Sequence, residues 1–268
     1  MTAARACRLI GSSMEENRFR KAFGWKKPVF GMLHLQGGSE REMLGTALDE
    51  TRVMAAAGVD AVVIENYFGC PEYVEAALDY FNRHDQGVMY GVNLLEDDAG
   101  SFRLAYRYNA AFLQLDSVAG HLEPQDDLAF GEFVADSRSL FTGFVMGGVR
   151  FKYQPYRSGR SLEEDIAIGM ARCDALTITG DATGQETPLD KVRAFRRIAG
   201  DFPLIIGAGL TPENCEGQLA ETDGAIVGSY FKDTFEARGK VSAAHVARLM
   251  EAVRACRRNG GGGGHGGS

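Results

Sequence analysis

The chain of 268 residues contains no stretch of about 18 consecutive apolar residues, which argues against a membrane-spanning helix. Its first dozen residues, MTAARACRLIGS, lack the apolar core of a secretory signal. Positive charge is in deficit. Lys and Arg total 29 against 36 Asp and Glu, a net charge of −7, the reverse of the basic balance usual in a dedicated nucleic-acid binder. The five cysteines, at 7, 70, 173, 215 and 256, are odd in number and form no CxxC pair. That disfavours a disulfide framework and a structural zinc site, and leads us to expect reduced thiols and a cytoplasmic location. Cys70 and Cys215 fall near strand-to-helix loops, but a nucleophilic role for either is the less favoured reading. His34, His84, His121 and His245 are scattered, with no H-x-H or H-x-x-E-H cluster. His84 and His245 read as solvated helix residues. A G-x-G-x-x-G run after the first strand is also lacking, which weighs against an open doubly wound sheet.

What the sequence does have is a regular alternation. Near-continuous apolar runs at 29–35, 61–66, 88–94, 112–116, 144–152, 175–180, 203–209 and 224–230 read as strands buried on both faces. Helix-period stretches lie between them. Ser39 with Glu42 and Ser161 with Glu164 are capping boxes, and Asp98 is placed to cap a further helix. Thr187-Pro188 and Thr211-Pro212 set a cap before proline, and Ser242 opens the last helix. The long connection 117–143 reads as an insertion plus a helix. Eight strand–helix units predict an α/β fold of the (β/α)8 TIM-barrel type, spanning 28–258 as one domain. Residues 1–27 read as an extension whose RFRKAFGWKK stretch forms a short helix packed on the barrel. The last stretch, 259–268, is glycine-rich and reads as a flexible tail in which His265 is inert.

Barrels of this type place their chemistry where strands end. The strand ends give His34, Glu65 with Asn66, Asn93, Asp116, Lys152, and Asp181 with Thr183. His34 is the best proton-transfer residue of the five histidines, and Glu65 suits a general base or, with Asp116, a metal ligand. Asp97 and Asp98 also have metal-like character. Lys152 suits electrostatic stabilisation ahead of Schiff-base chemistry. Gly207-Ala208-Gly209 and Gly228-Ser229 close the last two strands, where bare amides would hold a phosphate.

Taken in order, Gly31-Met-Leu-His34, Gly58-Val-Asp60 with Ile64-Glu65-Asn66, and Gly91-Val-Asn93 form a pattern that continues downstream. Lys152, Thr179-Gly180 with Thr183-Gly184, Gly209-Leu-Thr-Pro-Glu-Asn214 and Ile226-Val-Gly-Ser229-Tyr-Phe-Lys232 complete it. This set resembles the BtpA family, which takes in proteins linked to photosystem I biogenesis and SgcQ-like proteins of sugar-operon contexts. The resemblance spans roughly 28–250 and implies a ribulose-phosphate-binding type of barrel. It implies a pocket that keeps Asn66 and Thr183 and adds Gly184, Asn214 and Lys232. Four segments depart from the family pattern. The first loop is His34-Leu35-Gln36-Gly37-Gly38 in place of His-Leu-x-Pro-Leu-Pro-Gly. Leu95-Glu96-Asp97-Asp98 replaces Leu-Arg-Asn-Asp, Gln114-x-Asp116 replaces Arg-x-Asn, and Lys152-Tyr153 replaces Lys-His. Positive charge is lost and acid gained, which suits a less anionic ligand or a bound divalent cation such as magnesium.

The expected function is therefore an enzyme acting on a small phosphorylated sugar or nucleoside-like metabolite, by isomerase, lyase or glycosidic-bond chemistry. A non-catalytic assembly or regulatory factor is the alternative. A flavin-dependent barrel would share the phosphate loops, but the sequence carries no separate flavin signal. A homo-oligomer is expected by analogy alone.

Overall fold

The computed structural model describes residues 17–260. The strands are β1 (Val29–Leu33), β2 (Ala61–Glu65), β3 (Met89–Asn93), β4 (Phe112–Ala119), β5 (Phe144–Val149), β6 (Ala175–Ile178), β7 (Leu204–Ile206) and β8 (Gly224–Val227). They close into a barrel in chain order, all parallel, with β8 returning to β1. Around it lie α2 (Glu40–Ala56), α3 (Pro71–Arg83), α4 (Asp98–Arg107), α5 (Pro124–Leu140), α6 (Leu162–Arg172), α7 (Leu189–Ala199), α8 (Cys215–Glu221) and α9 (Ala243–Gly260). The expected (β/α)8 architecture is the one observed. Among the described residues no helix is long and apolar enough to cross a membrane.

Side-chain alternation sorts the core into two parts. Outward residues such as Val62, Ile64, Leu113 and Leu176 pack under the helices, while Phe30, Met32, Val63, Phe112, Phe144, Met146, Ile205 and Ile226 fill the barrel axis. A short helix ahead of the barrel, α1 (Arg18–Phe23), joins this second group. Phe19 is fully buried, edge-on to Phe144 at 5.6 Å, and Phe144 in turn stacks on Phe112 at 4.9 Å. The basic residues of this segment are largely tied down. Arg18 donates to the Phe141 carbonyl at 2.6 Å, Arg20 pairs with Asp223 at 2.7 Å, and Lys27 donates to the Thr222 carbonyl at 2.8 Å. α1 thus seals the end of the barrel opposite the strand C-termini.

The caps match the sequence reading unevenly. Ser161 and Glu164 form the complete reciprocal box. Ser39 accepts from the Glu42 amide, but Glu42 reaches past it to the Gly38 amide at 2.9 Å. Asp97, not Asp98, caps α4 through the Gly100 amide at 2.7 Å, because its extended backbone aims the carboxylate back at the helix. Thr187 does not cap α7; its hydroxyl donates to the Ala208 carbonyl and ties the sixth loop to the seventh. No insertion separates β4 from α5. β4 runs through Ala119 with a register irregularity after Leu115 and leaves only a short loop before Pro124. α9 runs two residues into the expected tail, and the remainder, with His265, lies outside the described residues, as does Cys7.

Candidate active site

Parallel register sets Glu65 directly beside Asn93 at the ends of β2 and β3. The Asn93 amide nitrogen donates to Glu65 Oε1 at 2.9 Å and to Asp116 Oδ1 at 3.1 Å, linking two carboxyl groups through one donor. His34 stands on the other side of Glu65, its Nε2 3.7 Å from Oε2. His34 Nδ1 donates to the Ala237 carbonyl at 3.2 Å, which leaves Nε2 as the unprotonated nitrogen of the neutral ring.

Burial sets the charge of these groups. Desolvation pushes Glu65 up to about 8, reinforced by the charge of Asp116, so the carboxyl is predominantly protonated at neutral pH. Desolvation, with Lys232 and Lys152 nearby, brings His34 down to about 4, so the imidazole is neutral. Asp116 is also raised by burial, against the opposing hydrogen bonds of Asn93 and Gln114. Lys152 is lowered by burial, partly offset by Glu65 and Asp116. Its backbone amide is fixed to Thr179 Oγ1, and its ammonium has no hydrogen-bond or ion-pair partner among the described residues. Asp98, released from capping, is pushed up to about 6 by burial and by Asp116.

His34, Glu65, Asp116 and Lys152 face a cavity of about 340 Å³ at the C-terminal mouth, which Asp98 does not line. His34, Glu65, Asp116, Lys152, Thr183, Gly184, Gly207, Ala208, Gly209, Gly228 and Ser229 all line it, and Asn93 supports it from behind. At its far side the seventh and eighth loops come together. Gly209 takes φ +76°, and a Cβ there would lie 2.1 Å from the Gln185 carbonyl oxygen. A Cβ on Gly228 would press on the His34 ring at 3.1 Å. The amides of Ala208, Gly209, Gly228 and Ser229 meet no acceptor among the described residues. The Gly207 amide is different. It donates to the Ile178 carbonyl at 2.7 Å, which corrects its expected part in holding a phosphate.

Four other expected pocket residues do not reach the cavity. Asn66 accepts from the Leu95 amide at 2.8 Å and braces the second loop against the third. Asp181 is exposed outside the mouth. Asn214 is a scaffold residue: it accepts from the Thr211 amide and donates to the Gly209 carbonyl at 2.9 Å, shaping the seventh loop from behind. Lys232 is buried and bound to Glu50 of α2 at 2.7 Å, a partner 182 positions away. His245 is not a solvated residue; it donates to the Lys232 carbonyl at 2.8 Å and stacks on Phe235. Among the described residues no group of three or more His, Cys, Asp or Glu side chains is arranged to hold a metal ion. Cys70 sits half-buried at the start of α3. Cys215 lies 3.7 Å from Cys256, its thiol pushed up to about 12 by burial, and neither Cys70 nor Cys215 lines the cavity.

The cavity also contains residues outside the expected pocket, two of which, Gln114 and Tyr153, the sequence marks only as departures from the family pattern. Gln114 lies two positions before Asp116 on the same strand face, and that period of two was the available signal. It is 4% exposed, and its Oε1 has no hydrogen-bond partner. Tyr67 and Tyr153 directly follow the strand-end residues Asn66 and Lys152, while Tyr230 and Phe235 come from the eighth loop.

The chain matches the family model described as the BtpA family over residues 25–255. It is 24% identical over 260 residues to the photosystem I biogenesis protein BtpA of Synechocystis sp., covering 87% of this chain and 90% of that protein. It is 26% identical over 266 residues to the putative sgc region protein SgcQ of Escherichia coli, covering 89% and 98%. Among solved structures, phosphoribosyl anthranilate isomerase from Thermus thermophilus superposes with a TM-score of 0.59 at 18% identity, covering 85% of this chain and 98% of that one. That likeness concerns the fold. With most of its length matched by the family model, the chain belongs to the BtpA family.

Proposed function

We propose that the protein is an enzyme acting on a small phosphorylated metabolite, a sugar phosphate or a nucleoside-like compound. The observation that carries this reading is the pair of adjoining loops with unengaged amides at Ala208, Gly209, Gly228 and Ser229, on the wall of a cavity that also holds acid–base groups. Bare amides at a glycine-rich turn bind an oxyanion because no Cβ blocks approach and no protein acceptor competes. Lys152 then supplies positive charge where negative charge develops on the substrate. Glu65 enters as a proton donor and His34 Nε2 as the acceptor beside it, with Asp116 as the second carboxyl. This assignment suits isomerisation, lyase or glycosidic-bond chemistry, all of which move a proton at a polar centre. The names of similar folds, among them phosphoribosyl anthranilate isomerase and thiamine phosphate pyrophosphorylase, agree with a phosphorylated ligand.

The test is a thermal-shift screen with inorganic phosphate, sugar phosphates and nucleotides, with and without magnesium. A ligand at 100 times its Kd stabilises the fold by about 2.7 kcal/mol. Gly228→Val should abolish that shift, since the added side chain enters the cavity beside His34. A shift that survives Gly228→Val, or the absence of any shift, overturns the proposal. A co-purifying protein partner with no turnover would favour the assembly-factor reading instead.

A further inference from the structure

We propose that the rim of this cavity is built to stack a planar heteroaromatic ring, which makes the ligand class a nucleoside monophosphate. The inference rests on the phosphate reading above and narrows it. Aromatic side chains from three loops line the mouth: Tyr67 after β2, Tyr153 after β5, and Tyr230 and Phe235 after β8. Tyr153 is 68% exposed and Phe235 55%, although large apolar rings are ordinarily turned inward.

The backbone beneath these two rings is unusual. Tyr153 has φ +62° and Phe235 φ +58°, a region that bulky residues rarely adopt. Of the six non-glycine residues with positive φ among the described residues, Leu35, Glu96, Arg150, Tyr153 and Phe235 lie in loops that follow strand C-termini. Strain of this kind collects where the surrounding structure must hold a side chain in one place. The rings are indeed held. The Tyr153 hydroxyl accepts from the Thr183 amide at 2.9 Å. Phe235 lies nearly parallel to His245, 4.4 Å away at 12°. Two loops thus each carry a strained, exposed and immobilised ring to the lip of one cavity.

The remaining chemistry agrees with one phosphate and a neutral ring. Among the described residues, Glu65, Glu96 and Asp116 share the cavity with a single unpartnered ammonium, that of Lys152, which disfavours a second phosphate. At the floor, the free Oε1 of Gln114 and the carboxyl of Asp116 offer acceptors for the hydroxyls of a sugar.

Isothermal titration of the full chain with ribose 5-phosphate, glucose 6-phosphate, adenosine 5′-monophosphate and uridine 5′-monophosphate tests the inference. A nucleotide should bind about tenfold or more tightly than ribose 5-phosphate, the scale of one base–aromatic stack. The ratio of the two Kd values is the readout. Phe235→Ala and Tyr153→Ala should return it to about one, whereas Tyr153→Phe, which keeps the ring but loses its tether to the Thr183 amide, should give an intermediate ratio. Equal affinity for nucleotide and ribose 5-phosphate in the unaltered protein overturns the inference while leaving the phosphate site standing. So does glucose 6-phosphate binding as tightly as a nucleotide, or a ratio unaffected by both alanine variants. If none of the four compounds binds, the proposed function falls as well.

Discussion

Oε2 of Glu65 lies 3.7 Å from Nε2 of His34, and both side chains are uncharged at neutral pH. Asn93 occupies Oε1, so the Glu65 proton belongs on Oε2, facing the bare nitrogen of the ring. A donor and an acceptor therefore stand together, each shifted away from its solution value by the same cause, removal from water. An ion pair would have moved the two values in the opposite directions.

The first prediction concerns Glu65. Its folded value, about 8, lies above the unfolded one, so its contribution to stability is full below about pH 4.5 and is lost as pH rises through 8. Glu65→Gln keeps the shape and removes the titration. Relative to the unaltered protein it should be more stable at pH 8.5 than at pH 5, by on the order of 4 kcal/mol. Urea unfolding at the two pH values measures the difference; equal offsets would mean that Glu65 ionises normally.

His34 acts at the other end of the scale. Its folded value, about 4, lies below 6.5, so stability is lost as pH falls from 6.5 towards 4, where only the unfolded chain takes the proton. His34→Gln should lose less stability over that window, its amide still able to reach the Ala237 carbonyl. Thermal melts from pH 7 to pH 4 read this directly, with parallel curves counting against a buried neutral imidazole.

Asn93 holds two buried carboxyl groups with one nitrogen. Asn93→Leu should cost about 1–3 kcal/mol by leaving both short of a donor. Asn93→Asp should cost more at pH 8 than at pH 5, because a third acid joins the cluster. Denaturant midpoints for the two variants decide it; Asn93→Asp matching Asn93→Leu at both pH values would show the carboxyls to be independent.

Much of this arrangement was legible in the sequence, for a local reason. Parallel strands are apolar on both faces, so the position where each run turns polar marks the mouth, and His34, Glu65, Asp116 and Lys152 were found that way. What was not legible depends on contacts between distant positions. Lys232 enters the expected pocket through the family resemblance, which reads a motif position; only the folded chain brings Glu50 to it. Gln114 lies one repeat of the pleat below the strand end; the period of two puts it on the face of Asp116, but its burial at the cavity floor depends on the folded barrel. Asp97 and Asp98 both satisfy the spacing of a cap, and the backbone angles of Asp97 decide between them. The glycines of the seventh loop were visible, but the Gly207 amide is engaged by its neighbouring strand.

The fourth prediction concerns Phe19. Its ring is fully buried against Phe30 and Phe144. Phe19→Ala should cost about 3–5 kcal/mol and lower the melting temperature, although the residue is remote from the mouth. Calorimetry measures the loss; a change below about 1 kcal/mol would show that the short helix adds little to the barrel.

The same aromatic stopper has a kinetic consequence. With the lower end of the axis filled by Phe19, Phe30, Phe112 and Phe144, the chamber is a cul-de-sac. Whatever enters must push its water back past itself, and whatever is made must leave by the doorway through which its precursor came. Traffic runs in both directions through one opening, so the loops framing it govern arrival and departure alike.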